Sequence, residues 1–115
     1  MPTTFHLARA DEWSASLGAE TYAPPAFERE GFIHCTDGVD EMVATANRYY
    51  RADPGPFVVV EVDLELVDAR VVYEDERHVF PHVYGRLPRR AVVSTRGVER
   101  AEDGTFTGFG GPSRP

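Results

Sequence analysis

The chain has 115 residues with 12 basic and 19 acidic side chains, a formal net charge of -7 and a single cysteine. That length suits one domain with its own core. Its 42% hydrophobic residues hold no run long enough to cross a bilayer. One cysteine, Cys35, rules out an internal disulfide and any multi-cysteine zinc site.

Every basic residue is Arg, and the arginines are scattered through an acidic chain. Duplex nucleic acid calls for a concentrated basic face, so no nucleic-acid partner is expected. The first residues, Met1-Pro2-Thr3-Thr4, show no basic segment followed by an apolar stretch, so no secretory signal is read there. The expectation is a cytoplasmic protein with a small-molecule ligand and no membrane partner, as a monomer or homodimer. The domain is expected over residues 3–107, followed by a flexible Gly- and Pro-rich tail over 108–115.

Residues 4–8 read as an opening strand, with Phe5 and Leu7 on one face and His6 on the other. A helix is expected from Asp11, with Trp13 and Leu17 inward and Gly18 as its stop. Tyr22-Ala23-Pro24-Pro25 reads as an extended loop. Residues 31–36 form the second expected strand, with Phe32 and His34 opposite Ile33 and Cys35. A helix is predicted over 39–51, capped by Thr36 or Asp37, because Val39, Met42, Val43, Ala46 and Tyr50 recur at helical spacing.

Residues 57–66 read as the main strand, and Val58-Val59-Val60 suggests that both its faces are covered. A shorter strand follows at 70–73. Residues 74–88 read as a long irregular loop carrying His78, His82 and Tyr84. Residues 91–96 form a further strand, and Asp103-Gly104 predicts a hairpin between 98–102 and 105–109. Helices cluster early and strands late, which indicates an α+β fold.

Chemistry concentrates on the histidines. His6 and His34 each lie among apolar strand residues, where a buried imidazole needs a partner or a ligand. His82, between Pro81 and Tyr84, is placed to face a pocket, whereas His78 reads as a solvated loop residue. Thr36 and Asn47 are polar candidates near the same segments. Glu61, between Val60 and Val62, is either paired with an Arg or catalytic. Cys35 points away from His34 on a strand, so it reads as a small core residue and not as an activated nucleophile. His6, His34 and His82 suffice in number for zinc but lack the close spacing of a zinc signature, so no metal site is expected.

The blocks Phe5-His6-Leu7, Gly31-Phe32-Ile33-His34-Cys35-Thr36, Ala44-Thr45-Ala46-Asn47-Arg48-Tyr49-Tyr50, Val60-Glu61-Val62-Asp63 and Phe80-Pro81-His82-Val83-Tyr84-Gly85-Arg86-Leu87-Pro88 resemble, in order and spacing, the bacterial family catalogued as domain of unknown function nine-five-two. The resemblance covers residues 4–96. That family is similar to the ADP-ribosyltransferase fold, which implies two small, curved, mainly antiparallel sheets with one or two early helices and a cleft between them. The resemblance implies NAD or an ADP-ribose-like ligand, although the residues themselves fix no cofactor. It implies that His6 contacts a ribose and that the His34-Cys35-Thr36 block lines the nicotinamide side; in an enzyme of this kind His82 and Tyr84 are expected to close the pocket. The late Glu of those transferases has no match here: Glu61 lies in another strand, and His82 is the expected replacement.

The expected site is therefore His34 and His82 as catalytic groups, with His6, Thr36, Asn47, Glu61 and Tyr84 binding the ligand. The expected activity is a glycosyl- or ADP-ribosyl-type transfer. The alternatives are a metabolite-binding module without turnover and a metal enzyme built on the histidines.

Overall fold

The computed structural model describes residues 2–113. Among the described residues fourteen helical and strand segments follow one another, most of them short. The largest unit is a four-stranded antiparallel sheet. It contains β1 (Thr3–Arg9), β4 (Phe57–Asp63), β8 (Val92–Arg100) and β9 (Phe106–Phe109), in the order β1-β4-β8-β9. A two-stranded pair joins β2 (Thr21–Tyr22) to β7 (Leu87–Pro88), and a three-stranded sheet orders β3 (Ile33–His34), β6 (Pro81–Val83) and β5 (Val71–Tyr73) as β3-β6-β5. The helices are α1 (Ala10–Ala15), α2 (Phe27–Glu30) and α3 (Val39–Tyr50). This is an α+β fold with a curled antiparallel sheet.

β4 is the centre of the large sheet, as its valine run predicts. Its alternation separates two cores. Val60 and Val62 pack with Ala8, Trp13, Tyr22, Ile33, Cys35 and Val83 on one face. Phe57 and Val59 meet α3 on the other, where Met42 and Ala46 face Phe5 and Phe106. A strand covered on both sides is uniformly apolar, and this one carries only Glu61 as an internal charge.

The four-stranded and three-stranded sheets join beside β1. Phe5 and Thr36 exchange both backbone hydrogen bonds, at 3.0 and 2.8 Å. The small sheet thus continues from the edge of the large one and turns back over its Ala8–Val60 face.

Several local expectations are corrected. α1 ends at Ala15, so Leu17 falls in the turn beyond it and is 57% exposed rather than inward. Val39 and Tyr50, at the two ends of α3, are also exposed. The cap of α3 is Gly38, with no side-chain bond, because Asp37 instead accepts the Tyr73 hydroxyl at 2.6 Å. The segment at 22–30 is more ordered than a loop: Tyr22 belongs to β2, and Phe27–Glu30 make a short helix. The stretch 74–88 contains two strands, β6 and β7. The expected strand at 57–66 stops at Asp63, whose side chain accepts the amide of Glu65 and turns the chain into a 3-10 segment.

Residues 108–113 run beside β8. Gly108 pairs with Glu99, Gly110 donates to the Gly97 carbonyl at 2.8 Å, and Ser113 pairs with Thr95. The last two residues of the expected tail, 114 and 115, lie outside the described residues. Among the described residues no helix is long and apolar enough to cross a membrane.

Candidate functional site

Where β1, β3 and α3 converge, a cleft of about 660 Å³ opens to solvent. His6 forms its floor, His34 and Thr36 one wall, and Tyr49 and Tyr50 of α3 the other. Phe32, Arg29 and Glu30 stand at the side formed by α2 and β3.

His6 is 5% exposed, on the face of β1 opposite Phe5 and Leu7. Both ring nitrogens are engaged. Nδ1–H donates to the His34 carbonyl at 2.8 Å, which leaves Nε2 to accept the Tyr22 hydroxyl at 3.3 Å. Burial pushes the imidazole down to about 4, so it is neutral near pH 7. The same burial pushes the Tyr22 hydroxyl up. The ring of His6 therefore holds β1, β2 and β3 together at the base of the cleft. A ribose contact would have to displace one of these bonds.

His34 is on the other side of its strand. Its side chain is 61% exposed. β3 and β6 pair so that His34 is directly opposite His82, and their ring centroids are 5.2 Å apart at 75°. Phe32 stacks on His82 at 4.1 Å and meets His34 edge-on at 4.8 Å. His34 Nε2–H donates to Glu30 at 3.2 Å, and His82 Nδ1–H donates to Glu74 at 3.0 Å. The Tyr84 hydroxyl donates to the same oxygen of Glu74. These two bonds, from Tyr84 and from His82, hold the Glu74 carboxyl below the usual range, and the carboxylate raises the Tyr84 hydroxyl in return. Arg70 lies over the Tyr84 ring at 4.6 Å.

The chain matches the family described as "Protein of unknown function (DUF952)" over residues 7–95. It belongs to this family. The crystal structure of protein CC0527 from Caulobacter crescentus shares the fold with a TM-score of 0.77 at 21% identity, covering 92% of this chain and 94% of that one. The solution NMR structure of CC0527 gives a TM-score of 0.71 at 23% identity, with 90% of each chain covered. No curated protein matches.

In this DUF952 chain the remaining candidates lie apart from the cleft. Asn47 is a clamp: its side-chain amide donates to the Phe106 carbonyl at 3.0 Å, and its oxygen accepts the Phe106 amide at 2.7 Å. Glu61 accepts from Ser94 at 2.9 Å and from Arg96 at 3.3 Å, so it is paired, the first of the two roles open to it. His82 and Tyr84 flank His34 from β6 and the residue after it, instead of hanging over the pocket from a loop. Cys35 is buried in the core, and burial pushes its thiol up to about 12. His78 is exposed and stacks on Tyr73. Among the described residues no three or more His, Cys, Asp or Glu side chains are grouped for a metal ion.

The structure thus joins His6, His34 and Thr36 in one cleft, with His82 and Tyr84 beside it. Seven contributors escaped the sequence reading: Tyr22, Arg29, Glu30, Phe32, Tyr49, Tyr50 and Glu74. Glu30 precedes His34 by four residues and Phe32 shares its strand face, so those two carried a local signal. Tyr22 and Glu74 reach the site only through strand pairing.

Proposed function

We propose that the cleft binds a small nucleotide-like ligand of the NAD or ADP-ribose class. The observation that carries this reading is the composition of the cleft walls. The Phe32, Tyr49 and Tyr50 rings offer faces to a planar base, while Arg29, His34 and Thr36 offer polar groups to a sugar and its phosphates. A volume of about 660 Å³ suits a ligand of that size.

A second reading adds transfer at the glycosidic bond. Breaking that bond builds positive charge on the ribose, which a nearby carboxylate stabilises. Glu61 is tied to Ser94 and Arg96, away from the cleft. Glu12 and Glu30 both line the cleft, and Glu30, bonded to His34, is the carboxylate that favours turnover.

Calorimetric titration with ADP-ribose and with NAD tests the binding. Saturable heat is expected, with affinity reduced roughly tenfold in Tyr49→Ala, since stacking on an aromatic ring is worth about 1–3 kcal/mol per base. Absence of binding for both ligands at millimolar concentration overturns the reading. Nicotinamide release from NAD separates transfer from binding alone.

A further inference from the structure

His34 and His82 are the two imidazoles of this surface that face one another across paired strands. Each is tethered by one nitrogen to its own carboxylate, and by opposite nitrogens: Nε2 of His34 to Glu30, and Nδ1 of His82 to Glu74. Nδ1 of His34 and Nε2 of His82 remain, with no hydrogen-bond partner among the described residues. A carboxylate on one nitrogen fixes the tautomer and orients the ring, so that the other nitrogen is ready to accept or deliver a proton. Phe32, which lines the cleft, stacks on His82 and holds that ring in place beside it.

The surroundings favour an anionic substrate. Arg29 lines the cleft and Arg70 lies over Tyr84; like Arg48, Arg86, Arg89 and Arg100, they have no carboxylate within ion-pair distance among the described residues, and these two are the ones beside the histidine pair. The one cysteine faces the core, away from His34. Two imidazoles beside free guanidinium groups suit proton transfer to and from water at a phosphate.

We propose that His34 and His82 act as a general acid–base pair that hydrolyses a phosphate ester of the nucleotide-like ligand, with Glu30 and Glu74 as positioning residues. This rests on the nucleotide-like reading of the cleft for its substrate class. Water adds to phosphorus through its oxygen, and the neutral imidazole takes the proton that water gives up. The ester P–O bond breaks with its electron pair on the departing oxygen, and the second imidazole, protonated, gives that oxygen its proton. Water is the sole co-reactant. The groups that face the pair are Glu30 from α2, Glu74 after β5, Tyr84 after β6, and Arg70 through Tyr84.

The probe is adenosine 2′,3′-cyclic phosphate, a nucleoside phosphodiester with an alkoxide leaving group, followed by phosphorus NMR with the purified full chain. Ring opening with a bell-shaped pH profile is expected. His34→Asn and His82→Asn should each lower kcat by about 100-fold or more, the usual contribution of a proton-transferring side chain. Glu74→Gln should lower kcat more than it raises KM and should displace one limb of the pH profile, which a purely structural role would leave in place. No ring opening by the native chain overturns the proposal, as does an unchanged rate in folded His34→Asn. Binding of ADP-ribose without ring opening defeats this inference alone. Ring opening without binding of ADP-ribose or NAD defeats the cleft reading alone.

Discussion

The imidazole of His6 donates to the backbone carbonyl of His34 at 2.8 Å, so the two histidines meet as ring and main chain and not as two rings. One is a buried fastener, and the other projects from the far side of its strand.

That difference has a pH signature. An unfolded imidazole titrates at 6.5, and the folded one resists protonation until about 4. Between those values the unfolded chain binds the extra proton, so stability falls as pH drops through that window and is flat above it with respect to this group. The shift corresponds to about 3 kcal/mol. Urea unfolding at pH 7 and at pH 5 should show the loss, and His6→Gln should flatten the slope while lowering stability at both. Equal slopes in the two proteins would refute the assignment.

His34→Ala should leave unfolding cooperative and change stability by no more than about 0.5 kcal/mol, as for other exposed side chains. The backbone carbonyl that His6 needs is kept in this variant. His78→Ala should likewise leave both fold and ligand affinity near native values. Thermal melts with and without ADP-ribose measure both effects, and a collapse of His34→Ala would recast that residue as structural.

Asn47→Ala removes two hydrogen bonds to Phe106 and leaves that residue's amide and carbonyl without partners. The expected cost is about 2–3 kcal/mol, with ADP-ribose affinity unchanged in the folded fraction. Denaturant midpoints and amide exchange at Phe106 report it. Lost affinity with native stability would place Asn47 in the binding site after all.

Cys35 should resist alkylating reagents at pH 8 in the folded protein and react fully in denaturant, because its thiol is buried and held up at about 12. Rapid labelling of the native chain would contradict the core placement.

The long, periodic elements were legible in the sequence. α3 follows from Met42 and Ala46 at helical spacing, and β4 from its valine run, because a full amphipathic turn or a doubly covered strand repeats often enough to be seen. β2, β3, β6 and β7 span only two or three residues each, too few for any period, and their geometry comes from partners distant in the chain. Hence the irregular loop expected around His82 is a strand opposite His34. The polar candidates divide the same way. Glu61 between valines left pairing and chemistry equally open, and only its bonds to Ser94 and Arg96 decide for pairing. The grip of Asn47 on Phe106 was invisible because its partner is main chain, which carries no sequence mark. Leu17 misled because α1 stops two residues before it.

The reciprocal bonds between Phe5 and Thr36 fix the distance between the two sheets at the bottom of the cleft. Spreading that gap would strip two amides and two carbonyls of their partners, so the aperture is preset and a ligand meets it ready-made. The adjustable side is the opposite one, where the exposed Tyr49 ring can swing on its own rotamers. Association should accordingly be a single fast step, with its ordering entropy confined to a few side chains and no rearrangement of the sheets.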